Sequence, residues 1–290
     1  MSRSLADERE KGLGIGVRRA IAYVVLIILS FLCLFWFYLL FASATKSHGE
    51  LKSLFTPWPS THLLDNLNKL LNGTYPVVSA LFNSLIISTA CAFLTTYFST
   101  MTAYAIHAYD FKLKKFMSTF ILAVMMIPAQ VTALGFIRLM DDMGMMDSFI
   151  PLIVPSIAAP AVYFYMKQYM ESTLPSALIE AARIDGSGEF RTFNKIVLPL
   201  MKPAIAVQAI FSFVGTWNNY FTPALILNGN DQTKKTLPIL LARLRSEDFS
   251  RLDMGEVNMM IAFSIFPIII VYLFLSRFIV QGVALGSVKG

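Results

Sequence analysis

Residues 20–41 read AIAYVVLIILSFLCLFWFYLLF, twenty-two residues without a charge, a proline or a glycine. A helix crosses the roughly 30 Å hydrocarbon layer in about 20 mostly apolar residues. A cleavable signal peptide carries a shorter apolar core followed by a small-residue site, so this stretch reads as a retained span. It is apolar on every side, as a helix facing lipid must be, and Trp36 and Tyr38 fall toward its far end, where amphipathic rings favour the interface.

Outward from this block the pattern repeats. Further apolar stretches cover residues 76–106, 116–137, 149–166, 203–227 and 257–275. Of the 290 residues, 56% are hydrophobic and 14% charged, and the mean hydropathy is +0.62; a soluble domain carries about 25% charge. The expected fold is an all-α integral membrane protein of six transmembrane helices. A polar segment spans 1–19, the first span 20–42, a core with spans 2–6 takes 76–277, and a tail takes 278–290.

The formal net charge is +6, but the cations are spread over short connectors and form no nucleic-acid patch. With the N-terminus inside, fifteen of the 24 Lys and Arg fall on the cytoplasmic side, including Lys112, Lys114, Lys115 and Lys167. The other nine, among them Lys46, Lys69 and Lys235, fall outside. That asymmetry places both termini in the cytoplasm.

Several functions are disfavoured. Cys33 and Cys91 lie inside apolar blocks without metal or disulfide spacing, and His48, His62 and His107 are scattered. The glycines at 12, 14 and 16 lack the following Lys-Ser/Thr of a phosphate loop. The chain is therefore read as no enzyme by itself, with no metal and no cofactor of its own. No Asp, Glu, Lys, Arg or His falls within the six blocks; His107 and Arg138 sit at their edges. Ion-coupled carriers keep an ionisable group at mid-depth, so energy should enter from outside the lipid.

Within the blocks, Ser84, Ser88, Ala92, Thr96, Ser99 and Ala103 form a stripe of small residues at steps of three or four. It is either a close helix-packing face or the wall of a polar pathway. Prolines at 128, 151, 155, 160, 223 and 267 interrupt or border the spans.

The connector 167–202 is the longest on the inner side. Pro175 suits a first helical turn, and residues 176–184 are good helix formers. Gly186 supplies a left-handed helix end, and Ser187 is placed to cap a second helix carrying Phe190 and Phe193. The product is a compact elbow of two short helices. It is either a passive interfacial helix or a docking element for a soluble partner.

Residues 180–203, EAARIDGSGEFRTFNKIVLPLMKP, resemble the EAA motif of permease subunits of ABC importers: Glu180-Ala181-Ala182, then Gly186, then Ile196-Val197-Leu198-Pro199. Asp185 before the glycine is similar to the carbohydrate branch; Ser187 stands where that branch often has Ala. By this resemblance Glu180, Ala181, Ala182, Asp185 and Gly186 form the coupling helix that enters a cleft on an ATP-hydrolysing subunit. Trp217-Asn218-Asn219-Tyr220 resembles a run of the smaller permease subunit of maltose-type importers, and these residues either meet the sugar or pack between helices. The end of the chain resembles that family's glycine-rich tail, with Gln281, Gly286 and Lys289 either reaching the ATPase subunits or forming a free end.

The resemblance implies a type I importer in the bacterial cytoplasmic membrane. Its further parts are a second permease subunit, two ATPase subunits that bind ATP and Mg, and an external solute-binding protein that delivers a sugar or oligosaccharide. Alternatives are a permease for another polar solute, an ion-coupled secondary carrier, or a structural membrane partner.

Overall fold

The structure, a computed structural model, describes residues 2–53, 55–246 and 253–286. All regular elements among them are helical. The chain divides into two compact units, Met1–Leu70 with Asp248–Phe263, and Leu71–Glu247 with Ser264–Gly290.

In the first unit, helix α1 (Ser2–Ala44) contains the apolar span Gly16–Ala44. Side chains 16–34 are all exposed, an arrangement stable only in lipid or against another membrane chain. The polar stretch after it folds tightly. Helix α2 (His48–Lys52) starts in a capping box, in which Ser47 N–H donates to Glu50 at 2.7 Å and Glu50 N–H returns to the Ser47 hydroxyl. Helix α3 (Leu63–Asn72) buries Asn66, whose amide donates to the carbonyls of Ala44 and Lys46. Lys69 pairs with Asp253 at 2.7 Å.

The second unit is organised on α4 (Val77–Ala108), which packs against α8, α12 and α14. Every member of the small-residue stripe, from Ser84 to Ala103, is buried, so the stripe is a packing seam. Large side chains there would hold the neighbouring helices apart.

The third apolar block is not one helix. It forms α5 (Lys114–Val124) and α6 (Ala129–Asp142) with a break before Pro128. Proline has no N–H and turns the preceding residue away from helical angles. The fourth block runs as α7 (Ile150–Ile153), a 3-10 turn (Val154–Ile157) and α8 (Pro160–Thr173). Pro160 cannot donate to the Ser156 carbonyl, and Thr95 of α4 donates there instead at 2.9 Å. Cys91 and Ser99, one turn to either side of Thr95, donate to the carbonyls of Leu152 and Ala159. A broken helix is tolerated at membrane depth when a neighbour satisfies its backbone in this way.

Next come α9 (Ser176–Ile184), α10 (Glu189–Thr192), a π-helical turn (Phe193–Val197), α11 (Leu198–Leu200) and α12 (Lys202–Trp217). The fifth block was expected to be continuous over 203–227, but α12 ends at Trp217 and α13 (Phe221–Ile226) follows. Asn218 lies at the C-cap, and the Asn219 side chain accepts from Thr222 N–H at 3.4 Å. Such local bonds compete with helix continuation. After α14 (Leu237–Arg245), α15 (Met254–Gly286) carries Pro267 in its interior.

Among the described residues, four segments are long and apolar enough to cross a membrane: Gly16–Ala44, Val77–Ala108, Ile150–Thr173 and Met254–Phe278. A fifth arises if Glu189–Leu200 and Lys202–Trp217, bent by 81°, count as one. Residues 278–286, read from their glycines as an extended tail, continue α15 as helix; Lys289 lies outside the described residues.

Candidate functional site: the elbow and its anchor

The elbow closes at Gly186, whose φ of +76° is open to glycine at little cost. Gly186 N–H donates to Arg183 O and Ser187 N–H to Ala182 O, both within 3.0 Å. This paired closure satisfies two terminal carbonyls of α9. Sequence reasoning located that end but placed the next cap one residue early. Gly188 holds the N-cap of α10, while the Ser187 hydroxyl accepts from Thr192 Oγ1 at 2.9 Å.

The helix-face geometry separates the motif residues. Ile179 and Ala182 point inward and are buried, whereas Glu180, Ala181, Asp185 and Gly186 are exposed. Beside them Ile184 is 86% and Phe190 71% exposed. Two large apolar side chains thus stand exposed among the charges of Glu180, Arg183 and Asp185.

The elbow is held to α4 by an anchor that the sequence did not reveal. Glu189 accepts from Tyr104 Oη at 2.7 Å and from Arg183 Nε at 2.8 Å. Arg183 also donates to Ala108 O and lies over the Tyr109 ring at 5.2 Å. Its hydrogen bond to Glu189 raises the guanidinium further above the ordinary arginine value. Below this, Phe193 is buried against the rings of Tyr104 and Tyr97 at 5.7 and 5.5 Å. His107 contacts Leu174 O at 3.1 Å, tying the start of the connector to the same helix end. No local pattern links Glu189 to Tyr104, which lies 85 positions away.

The run 217–220 is split in role. Trp217 is buried, stacks on Phe213 at 5.5 Å and donates its indole N–H to Ser264 O at 3.1 Å. Asn218 and Tyr220 are exposed. Asn219 lines a cavity of about 300 Å³ together with Thr216, Thr222, Ser156, Cys91 and Phe136. The polar groups at the helix break thus gather around one opening.

Beyond α13 the chain turns over a buried cation. Lys235 is fully buried and donates to the carbonyls of Leu227 and Gly229 at 2.5 and 2.6 Å. Burial and the nearby Arg243 pull its ammonium below the ordinary lysine value. Asn83 of α4 donates to the carbonyls of Thr233 and Lys235, and Asp147 accepts from Gly229 N–H at 2.7 Å. In the sequence Lys235 counts only among the nine basic residues of the outer side. Gln281 and Gly286 lie on the last turns of α15. Among the described residues no cluster of His, Cys, Asp and Glu could hold a metal ion.

Apolar helices exposed on their outer faces, with broken helices stitched to a central one, define a polytopic helical membrane protein. The signature of the binding-protein-dependent transport system inner membrane component matches residues 97–285, and the chain belongs to that family. It is 35% identical over 235 residues to the arabinooligosaccharides transport system permease protein AraQ of Bacillus subtilis (strain 168), covering 80% of this chain and 81% of AraQ. It is 29% identical to the melibiose/raffinose/stachyose import permease protein MelC of the same organism, over 88% of this chain and 91% of MelC. It is 30% identical to the sn-glycerol-3-phosphate transport system permease protein UgpE of Yersinia enterocolitica, over 95% and 97% of the two chains. Its fold matches a chain in the crystal structure of a bacterial ABC transporter involved in the import of the acidic polysaccharide alginate. That match has a TM-score of 0.77 at 21% identity and covers 90% of this chain and 96% of the other.

Proposed function

We propose that this chain is a permease subunit of an ATP-driven importer for a sugar or oligosaccharide. The family and the oligosaccharide systems for which AraQ and MelC are named support the reading. The absence of ionisable residues from the six apolar blocks favours a neutral solute over an anion. In this reading α5 with α6, and α12 with α13, make the third and fifth of six crossings, each broken within its block. Both termini face the cytoplasm, and the elbow lies on that side.

The observation that carries the mechanism is the elbow, exposed at Ala181, Ile184 and Phe190 yet bonded through Glu189 to α4. Glu180, Ala181, Asp185 and Gly186 form its outward surface for an ATPase subunit, and Ala182 packs behind them. ATP binding and hydrolysis by two such subunits rock the elbow, and α4 and α12 carry the motion into the bundle. The cavity at Asn219 lies on the path, and a second permease subunit completes its wall. Gln281, Gly286 and Lys289 are assigned to contact with the ATPase pair. A solute-binding protein delivers the sugar on the opposite side.

The test is uptake of a panel of labelled oligosaccharides into proteoliposomes holding the full complex. Uptake requiring both ATP and binding protein is expected for at least one neutral oligosaccharide. Uptake driven by an ion gradient without ATP, or confined to anionic solutes, would overturn the reading.

A further inference from the structure

The chain carries a second polar opening, which shares no lining residue with the cavity at Asn219. Between the end of α4, the start of α5 and the end of α8 lies a cavity of about 450 Å³. Lys112, Lys114, Lys115 and Lys167 line it, opposed by Asp110 and Glu171. Lys167 pairs with Glu171 at 3.1 Å. Lys112, Lys114 and Lys115 belong to no ion pair among the described residues. The pocket thus holds more positive charge than its own carboxylates offset. Leu113, at the N-cap of α5, provides no side-chain oxygen for the amides of the first turn, whose partial positive charge adds to the field.

The surface beside the pocket is apolar. Phe116 and Phe120, next along α5, are 65% and 58% exposed and stack at 6.1 Å. A soluble anion would contact the lysines and no part of this face. A ligand with a phosphate joined to hydrocarbon uses both. We propose that the pocket binds the phosphodiester headgroup of an anionic membrane lipid, with an acyl chain lying along Phe116 and Phe120.

Basic pockets between membrane helices suit such headgroups. The α4–α5 turn lies at the end of the bundle that carries the elbow, since Arg183 bonds Ala108 and His107 contacts Leu174. Bound lipid would therefore brace α4 beside the Glu189 anchor. The inference rests on the membrane reading, and on the proposed orientation only for the choice of leaflet; it is independent of the sugar and of ATP coupling.

The test is native mass spectrometry of the full complex released from membranes containing phosphatidylglycerol and phosphatidylcholine. Retention of phosphatidylglycerol over phosphatidylcholine is expected. At about 1 kcal/mol for each lysine near the headgroup, K114Q/K115Q should weaken retention at least tenfold. F116S/F120S, which keeps every charge, should also shorten it. Equal retention of the two lipids by the wild type, or retention by K114Q/K115Q equal to wild type, overturns the proposal. Displacement of phosphatidylglycerol by millimolar inorganic phosphate, with F116S/F120S unchanged, assigns the pocket to free phosphate and also overturns it. Loss of sugar uptake with normal lipid retention would count against the transport reading alone.

Discussion

Tyr104→Phe isolates one bond of the anchor. The ring stays, and with it the contact with Phe193, but the hydroxyl that donates to Glu189 at 2.7 Å is lost. A hydrogen bond to an ionised group contributes about 1.5–3 kcal/mol. The Glu189 side chain is 39% exposed, so water replaces part of the loss and about 1–2 kcal/mol remains. At 1.4 kcal/mol per tenfold, the population with the elbow released from α4 should rise roughly five- to thirtyfold. The assay is sugar uptake per ATP hydrolysed by the reconstituted complex, read beside the distance distribution between spin labels at positions 113 and 184. Uptake per ATP should fall several-fold while ATP hydrolysis persists, and the distribution should broaden. Coupling equal to wild type, with an unbroadened distribution, would remove the anchor from the mechanism.

Gly186→Pro meets a φ of +76° that proline cannot adopt; the variant should insert normally yet show no ATP-driven uptake, and wild-type uptake would sink the elbow reading. Thr95→Val keeps the shape but withdraws the donor from the Ser156 carbonyl, so the complex should lose about 1–3 kcal/mol of stability, visible as an earlier thermal transition in detergent. In Gly229→Ala the new methyl would stand 2.3 Å from an Asp147 carboxylate oxygen, so the carboxylate must swing aside and release Gly229 N–H; hydrogen exchange at residues 227–236 should quicken. Unchanged exchange there would show that this bond does not hold the turn.

The helical class and the elbow were legible because both rest on local pattern. Uncharged blocks of span length have few other uses, and Gly186 ends a helix whatever lies around it. The extent of the spans was less legible. Pro128 was visible in the sequence, but an apolar block with one proline reads alike whether the helix kinks or divides. At the break after Trp217 the Asn219 side chain accepts from Thr222 N–H, a local bond that hydropathy does not register. Tyr104, Glu189 and Lys235 were missed for another reason. Their partners are distant in sequence or are carbonyls, and a carbonyl is present at every position. The small-residue stripe read as a packing face, with a pathway wall as the alternative, and its burial is that of a packing face.

The corner at Met201 has a mechanical consequence. Its two arms, residues 189–200 and 202–217, meet at 81° and measure about 18 and 24 Å at 1.5 Å per residue. If the corner holds its angle, tilting the shorter arm by about 5° swings the end of the longer one near Asn219 by about 2 Å, a distance set by that arm's 1.5 Å rise per residue. In the proposed mechanism a small nudge at the surface would then arrive at the polar cavity as a sideways stroke wide enough to open or shut a gap the width of a hydroxyl.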